Sequence, residues 1–385
     1  MKVKELYYRF WERGVANLPE VSVLAVGDIM LSRGVGEKIA EHGPSYPFAQ
    51  VRSLITQEGL VFGNLEGPIS SCGTPSPFTQ SSFRANPLAA DGLAITCFKI
   101  LSLANNHIYD YGREAIEETL KLLKERNIHT IGMGRSVEDA REPVIISTKE
   151  IRFAFLAYTS AYNATDPKHE YVAPPINLRW IKDDIRKAKS KADVCIVSLH
   201  FGYENVEYPP PECRLQARQI IEYGADLVLG HHPHVIQGME FYKRGFAAYS
   251  LGNFVFDNLT ERRRESIILR ATFDREGIKA VYLLPIWIND EYQPQIASEE
   301  MALKIVTRLK ELSQYFQDGS SDKRFWEAAG SVFLADQKAG LIRSISRNGL
   351  RAIFMRLSHI RLFHLRLLGA ALSHRIRRFI KRCRC

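Results

Sequence analysis

The chain has 385 residues, of which 45% are hydrophobic and 25% are charged, and it contains six cysteines. This composition excludes a disordered chain, a small disulfide-stabilised domain and a collagen-like fibre, and it provides for a large apolar core. The net charge of +9 is unevenly distributed: residues 337–385 contain thirteen Lys and Arg and no acidic residue, and the preceding residues carry 39 positive against 43 negative side chains. We therefore expect a mildly acidic body and a strongly basic tail with separate partners.

The start of the chain, MKVKELYYRFWERG, lacks the apolar core of about 7–15 residues that a secretory signal needs. No stretch approaches the roughly 18 uncharged apolar residues of a transmembrane helix. The cysteines at 72, 97, 195 and 213 form no CxxC pair, which favours reduced thiols over a disulfide framework. These patterns predict a cytoplasmic protein.

From residue 21 to about 288, short β-branched or aromatic runs alternate with segments of helical period, which is typical of a layered α/β domain. The predicted strands are 21–26, 60–62, 98–103, 151–158, 194–199, 227–229, 247–250, 267–272 and 281–284. The predicted helices are 113–126, 178–189 and 211–223, followed after residue 298 by helical patterns at 301–312 and 322–335. We therefore divide the chain into an N-terminal extension (1–20), an α/β domain (21–297), a helical segment (298–336) and an Arg-rich helical tail (337–385).

Five of the apolar runs end in polar residues: Asp28, Asn64 with Glu66, Asn105-Asn106-His107, His200, and the GHHPH segment at 230–234. Ligands of α/β sheets bind at the carboxyl ends of strands, so residues distant in sequence can converge there. Taken singly, Asp28 is equally typical of a turn, Glu66 of a solvated loop and His200 of a hydrogen-bonded structural residue. Three imidazoles within four residues gain little from packing and much from metal ligation, so GHHPH favours a metal site.

The donor set also indicates the metal and the reaction. Carboxylate, amide oxygen and imidazole without cysteine suit one or two borderline divalent ions such as Mn, Fe or Zn. Such a centre retains positive charge and favours an anionic substrate. A pair of ions that activates water and stabilises an oxyanion is best suited to phosphoester hydrolysis.

The motifs AVGDIML, VFGNLEGPI, SLANNHIYDYG, SLHFGYEN, GADLVLGHHPHVIQG and AYSLGNFVFD resemble those of the CapA family of capsule and poly-γ-glutamate synthesis proteins, which is related to calcineurin-like metallophosphoesterases. The resemblance implies an α/β fold, a four-layer αββα sandwich of metallophosphoesterase type, here with a helical basic C-terminal extension. It also implies metal ligation by a set of six residues: Asp28, Glu66, Asn106, His200, His232 and His234. Asp28 would bridge the ions as a catalytic residue, and His107 would protonate the leaving group.

The resemblance also locates a departure from the phosphoesterase pattern. Met30 occupies the position where those hydrolases have a ligating histidine, and Glu66 or His231 can compensate for it. Three more residues are candidates for substrate contact: Glu204, Asn253 and Arg84. A loop hydrogen bond is an equal alternative for Glu204 and Asn253, and a surface position is the alternative for Arg84.

The basic tail mixes Leu, Ile and Phe with an Arg every four or five residues, which favours contact with an anionic membrane surface, on the inner face for a cytoplasmic protein. Nucleic acid is the less favoured partner, because no nucleic-acid-reading motif accompanies the arginines. A solvated helix is the third interpretation.

Three functions are consistent with these features. The first is a metal-dependent hydrolase of capsule, poly-γ-glutamate or exopolysaccharide synthesis that acts on an anionic polymer or a phosphorylated substrate. The second is a non-catalytic, polymer-binding component of the same machinery, and the third is a nuclease-like phosphodiesterase.

Overall fold

A computed structural model describes residues 7–13, 20–57, 59–77, 79, 81–160, 170–348, 367 and 369, with side chains described up to residue 335 and at Leu367 and Gly369. Fifteen strands lie in this part of the chain: β1 (Tyr8–Glu12), β2 (Val21–Ile29), β3 (Leu60–Leu65), β4 (Ile100–Ser102), β5 (His129–Ile131), β6 (Val144–Thr148), β7 (Ile151–Thr159), β8 (Val194–His200), β9 (Leu227–His231), β10 (Met239–Tyr242), β11 (Gly245–Ala248), β12 (Asn253–Val255), β13 (Glu265–Asp274), β14 (Gly277–Ile288) and β15 (Pro294–Ile296).

The same residues form ten α-helices: α1 (Arg33–His42), α2 (Arg52–Ile55), α3 (Ala89–Ile95), α4 (Gly112–Glu125), α5 (Val137–Ala140), α6 (Leu178–Lys189), α7 (Pro211–Glu222), α8 (Glu261–Arg264), α9 (Glu299–Gln314) and α10 (Ser321–Asn348). Each predicted strand and helix overlaps one of these elements, with ends shifted by a few residues. Among the described residues, no helix combines the length and the apolar character needed to cross a bilayer.

The strands form two sheets. The first has nine strands in the order β1-β14-β13-β2-β3-β4-β5, with β12 beside β2 and β15 beside β14. The second has six strands in the order β10-β11-β9-β8-β7-β6. Strands β2 to β5 run parallel to one another, as do β7, β8, β9 and β11, so each sheet collects the carboxyl ends of several strands along one edge.

Alternation along the strands of the second sheet produces two apolar faces. Phe153 and Phe155 face the first sheet, where Phe155 stacks on Phe62 with ring centroids 6.3 Å apart. Ala154 and Leu156, on the opposite face, belong to a separate core that includes residues of α6 and α7. Helices α1, α3 and α4 contribute to the larger core that contains the first sheet. The predicted four-layer αββα sandwich is confirmed.

Two features at the ends of the chain bear on the predicted division into domains. β1 lies within the predicted N-terminal extension and pairs with β14 of the first sheet. At the other end, α10 continues to Asn348, and the rest of the predicted tail lies outside the described residues apart from Leu367 and Gly369. The division itself stays a prediction.

Candidate metal centre

The polar residues predicted at the strand ends converge between the two sheets. They form two groups, in each of which one ligand atom per residue lies within 4.8 Å of the others: Asp28, Glu66 and His200 in the first, and Glu204, His232 and His234 in the second. The convergence follows from strand register, because Asp28 on β2 pairs with Asn64 on β3, and His200 on β8 pairs with His231 on β9.

Asp28 is completely buried at the end of β2. Asn64 Nδ2 donates to its Oδ1 over 2.9 Å, and the backbone N–H of His232 donates to its Oδ2 over 3.2 Å. His231 Nδ1 and His234 Nδ1 lie 3.2 and 3.5 Å from the carboxylate oxygens. Burial opposes ionisation of Asp28, but the hydrogen bonds and charges of the two histidines hold its pKa well below the usual value. Asp28 is therefore a fixed anion at the centre of the cluster.

Glu66 is also fully buried, yet neither of its carboxylate oxygens has a hydrogen-bond partner among the described residues. The nearest polar atoms to Oε1 include His234 Nε2 at 3.6 Å and His107 Nε2 at 3.9 Å. Burial raises the pKa of Glu66 well above its usual value, the charge of His234 acts in the opposite direction, and Asp28 adds to the rise. A buried carboxyl without a donor is costly unless a cation neutralises it.

Asn253 orients His234. The Asn253 amide donates through Nδ2 to the carbonyl of Arg263 over 3.1 Å, so its Oδ1, 2.9 Å from His234 Nδ1, is the acceptor. This hydrogen bond places the proton on Nδ1 and leaves Nε2 directed towards Glu66. Burial opposes a charge on His234, but Glu66 and Asp28 raise its pKa to about 9. Asn253, predicted to contact substrate, lies where it fixes a candidate ligand.

His200 and Asn106 face each other, with His200 Nε2 2.8 Å from Asn106 Oδ1, and the other ring nitrogen of His200 lies 3.3 Å from Asn64 Nδ2. Asn105 extends this network by donating to Asn64 Oδ1 over 3.3 Å. Burial, reinforced by the nearby His232, holds the pKa of His200 well below its usual value. The ring is therefore neutral at physiological pH, as metal ligation requires.

The GHHPH segment is held in an uncommon backbone conformation. His232 and His234 have φ angles of 98° and 59°, a region that residues other than glycine adopt at a cost of about 1–3 kcal/mol and that is concentrated at functional sites. Burial and the charge of His234 lower the pKa of His232 to about 4. His232 Nδ1 and Nε2 of the buried His231 lack a hydrogen-bond partner among the residues described, whereas His231 Nδ1 faces Asp28 Oδ1 at 3.2 Å. The strained turn therefore presents His232 as a neutral imidazole with a free ring nitrogen.

His107 lies in the loop after β4, with its Nε2 3.9 Å from Glu66 Oε1. Its Nδ1 is 2.7 Å from Asp110 Oδ2, which also accepts from the backbone N–H of Phe83 over 2.7 Å. The His107 ring stacks on Phe83 with centroids 3.8 Å apart. Asp110 and Phe83 thus fix the ring so that Nε2 points towards Glu66.

The two remaining predicted substrate contacts lie in different places. Glu204, in the loop after β8, approaches His232 and His234 and is bonded to Arg263 Nη2 over 3.3 Å. Arg84 donates to the carbonyl oxygens of Cys72 and Gly73 and lies over the ring of Tyr111, with its Cζ 4.3 Å from the centroid. The structure therefore brings Glu204 into the cluster and gives Arg84 a structural set of contacts.

The cluster also contains three supporting residues that were absent from the predicted ligand and substrate set: Asn64, Asn105 and Phe83. Asn64 and Asn105 carry a signal in the sequence, because each belongs to a polar run that ends a predicted strand. Phe83 carries none, since it lies in the irregular stretch between β3 and α3.

These residues fit a divalent metal ion. The carboxylate, amide and imidazole atoms converge, His200 and His232 are in the neutral form that ligates metals, and the buried oxygens of Glu66 lack any other cationic or donor partner within hydrogen-bonding distance among the described residues. Gly27 makes the close approach of the strands possible, because a Cβ at this position would lie 1.9 Å from the carbonyl oxygen of Gly252.

Comparison with known proteins assigns the family. Residues 22–258 match the sequence profile described as Bacterial capsule synthesis protein PGA_cap. The chain belongs to this family. The capsule biosynthesis protein CapA of Bacillus anthracis is 30% identical over 280 residues, which cover 70% of this chain and 68% of that protein. The PGA biosynthesis protein CapA of Bacillus subtilis (strain 168) is 28% identical over 315 residues, covering 79% of this chain and 83% of that protein.

Among solved structures, a 5'-nucleotidase from Candida albicans SC5314 aligns with a TM-score of 0.43 and 10% identity, over 77% of this chain and 58% of the nucleotidase. The resemblance to the CapA family is confirmed by the profile and the Bacillus relatives. The matched range contains all six predicted ligands as well as His107.

Proposed function

We propose that this protein is a metal-dependent hydrolase of capsule, poly-γ-glutamate or exopolysaccharide synthesis that cleaves a phosphoester bond in an anionic substrate. The observation that best supports the proposal is the Glu66 carboxyl, buried without a hydrogen-bond donor among the described residues, 3.6 Å from His234 Nε2 and 3.9 Å from His107 Nε2. Buried polar groups in a purely structural core are hydrogen-bonded, whereas a metal centre requires carboxylate oxygens that are free to ligate the ion. The synthetic context comes from the names of the family and of its Bacillus relatives.

Six residues would hold one or two ions, for which Mn, Fe or Zn fits the donor set: Asp28, Glu66, Asn106, His200, His232 and His234. Bound divalent ions lower the pKa of a coordinated water and stabilise developing negative charge on the substrate. His107 would supply the proton to the leaving oxygen. Asp110 fixes its Nδ1, so that in the imidazolium form the Nε2 proton points into the site.

The basic tail, residues 337–385, is the proposed contact with an anionic membrane surface. Thirteen positive side chains without an acidic one support electrostatic attraction of this kind, which would hold a cytoplasmic enzyme at the inner face of the membrane. Salt-dependent binding of the full chain to vesicles containing phosphatidylserine, compared with phosphatidylcholine vesicles, tests it.

The enzymatic proposal is tested by metal analysis and turnover. Purified protein is expected to contain a transition metal and to hydrolyse an aryl phosphate, and His232→Ala is expected to lose both properties. His129→Ala is the matched control, because His129 is an exposed histidine on β5. Parallel assays with γ-glutamyl polymer and single-stranded DNA identify the substrate class. A metal-free wild type, or a His232→Ala variant with wild-type turnover, would contradict the proposal.

A second candidate function is binding of an anionic polymer without turnover. It is favoured by Met30, which is fully buried and whose sulfur accepts hydrogen bonds from the N–H and the hydroxyl of Ser32 over 3.2 and 3.0 Å. The position at which related hydrolases carry a ligating histidine is thus occupied by a fixed thioether. Bound metal and bound polymer with no hydrolysis of any of the three substrates would support this function over the first.

A further inference from the structure

Glu204 differs from the other candidate ligands in its surroundings. Its side chain is 48% exposed, and it lies on the loop of residues 201–210 that joins β8 to α7. Two residues of this loop, Gly202 and Asn205, have φ angles of 96° and 62°, which turn the chain back towards the histidines. Partial burial opposes ionisation of Glu204, but the charges of His234, His232 and Arg263 lower its pKa. The carboxylate is therefore charged, and the loop conformation decides where it lies.

Arg263 holds one side of this loop. Its Nε donates to Asn205 Oδ1 over 2.7 Å, and its Nη2 lies 3.3 Å from Glu204 Oε2. Arg263 and the two histidines, His232 and His234, both attract the Glu204 carboxylate. The ion pair with Arg263 therefore orients Glu204 but does not by itself direct it towards the histidines. The backbone N–H of Asn205 also donates to the carbonyl of Pro233 over 2.9 Å, which ties the loop to the GHHPH segment. The side chains of Tyr203 and Val206, on either side of Glu204 and Asn205, have a separate support.

The C-terminal helix α10 supplies that support. Val206 of the loop is 2% exposed and packs with Phe325 and Ala329 of α10 in a small apolar cluster separate from the two main cores. The Tyr203 ring lies 5.8 Å from the Phe325 ring. Tyr203 and Val206, which flank Glu204 and Asn205 in the loop, thus both lie against Phe325 of α10. Leu367 of the basic tail is buried in the same cluster.

We propose that Phe325 positions Glu204 as a metal ligand, so that the C-terminal helix sets the affinity of the His232–His234 side of the centre for a divalent ion. This inference rests on the metal binding invoked in the proposed function and adds a ligand and its control. Glu204 adds a carboxylate oxygen to the two imidazoles of its group, in which the three ligand atoms lie within 4.8 Å of one another. Packing against Phe325 restricts an otherwise exposed carboxylate before the ion binds, which reduces the entropy lost on ligation.

The experiment is a double-mutant cycle read out by isothermal titration of the metal-stripped, full-length protein with Mn²⁺. Glu204→Gln and Phe325→Ala are each expected to weaken Mn²⁺ binding by roughly 10- to 100-fold, the range for residues that orient metal ligands. The double variant is expected to bind no more weakly than Glu204→Gln alone, because Phe325 acts through Glu204.

Phe273→Ala is the matched control. Phe273 is as buried as Phe325 but pairs with Val21, seven residues before Asp28 on β2, about 23 Å away at ~3.3 Å per residue. It is expected to lower stability without changing Mn²⁺ affinity. If Phe325→Ala fails to fold, Phe325→Leu is expected to show a smaller weakening in the same direction.

The proposal is overturned if Phe325→Ala leaves Mn²⁺ affinity unchanged, if it weakens binding equally in the Glu204→Gln background, or if Phe273→Ala weakens binding to the same degree. An assay of turnover distinguishes failure of this inference from failure of the proposed enzymatic function. A wild type that binds Mn²⁺ with the expected coupling but hydrolyses nothing contradicts the enzymatic function alone, and an active enzyme without coupling contradicts this inference alone. A wild type that binds no ion contradicts both.

Discussion

Replacing Glu66 by Gln tests directly whether the buried cluster is a metal centre. The side chain is fully buried and neither oxygen finds a hydrogen bond among the described residues. Without a cation, folding either leaves an ill-solvated carboxylate or forces its protonation, and burial accordingly raises its pKa well above 4.5. Stability of the metal-free protein is then lost from this group as the pH rises above 4.5, because the unfolded chain releases the proton first.

The substitution is expected to change the free energy of unfolding in opposite directions in the metal-free and the Mn²⁺-bound protein. Metal-free Glu66→Gln is expected to be at least as stable as the wild type at pH 7, since a neutral amide of the same shape replaces the carboxyl. At a Mn²⁺ concentration 100 times the wild-type Kd, the ion stabilises the wild type by ~2.7 kcal/mol. If the variant binds about 100-fold more weakly, the same concentration stabilises it by only ~0.4 kcal/mol.

Urea unfolding with EDTA and with Mn²⁺ measures both quantities, with His129→Ala as a control that should behave as wild type in each condition. Equal stabilisation of wild type and Glu66→Gln by Mn²⁺ would show that Glu66 is no ligand. A metal-free variant less stable by several kcal/mol would show that the carboxyl already has a favourable partner. Either result would refute the reasoning.

Three substitutions outside the ligand set test the supporting structure. Hydrogen bonds from Ser70 Oγ and neighbouring N–H groups lower the pKa of Glu118 to about 2. Above pH 4.5, Glu118→Gln should therefore lower the free energy of unfolding by ~1 kcal/mol, a value discounted for the exposure of this side chain. Urea unfolding at a series of pH values should show the difference vanish as the pH falls to 2. Asp110→Asn should reduce turnover roughly 10- to 100-fold at unchanged Mn²⁺ affinity, because His107 loses its orientation. Gly27→Ala should cost about 3 kcal/mol or more, whereas Gly59→Ala, whose Cβ would meet no atom of the described residues within 4 Å, should cost little.

Each of these expectations has an opposing result. A pH-independent difference for Glu118→Gln would mean that the hydrogen bonds, not the charge, matter. Loss of metal affinity in Asp110→Asn would place Asp110 in the ligand network. Equal stability of Gly27→Ala and Gly59→Ala would show that β2 and the loop before β12 can separate without loss.

The convergence of the site could be predicted because it depends on local periodicity and one rule of sheet architecture. Five of the predicted strands are followed by polar residues, and an α/β sheet brings the carboxyl ends of its parallel strands to one edge. The register bears this out, since Asp28 pairs with Asn64 and His200 with His231. Six strands of five residues or fewer were missed: β1, β5, β6, β10, β12 and β15. None of them has a long apolar run, and all but the buried β12 are partly exposed.

The contacts that orient the ligands could not be predicted in this way. Phe83 reaches His107 from an irregular stretch that has no period to interpret, and Asn253 was assigned to substrate because sequence cannot show that its amide is engaged by His234 and Arg263. The isolated Arg84 illustrates the same difficulty, because its carbonyl partners and the Tyr111 ring are set by how a loop folds. Long-range loop packing, not strand order, decides these details.

The part of the chain that matches the family profile ends before the helix that supports the Glu204 loop. Residues 22–258 include every candidate ligand, Glu204 among them, whereas Phe325 and Ala329, on which the Glu204 loop rests, lie beyond that range. If the further inference holds, two members can share all ligands and still differ in metal affinity, because the helix that follows the domain differs. Replacing Phe325 alone would then reproduce that difference within one protein, whereas the ligand motifs alone would give no indication of it.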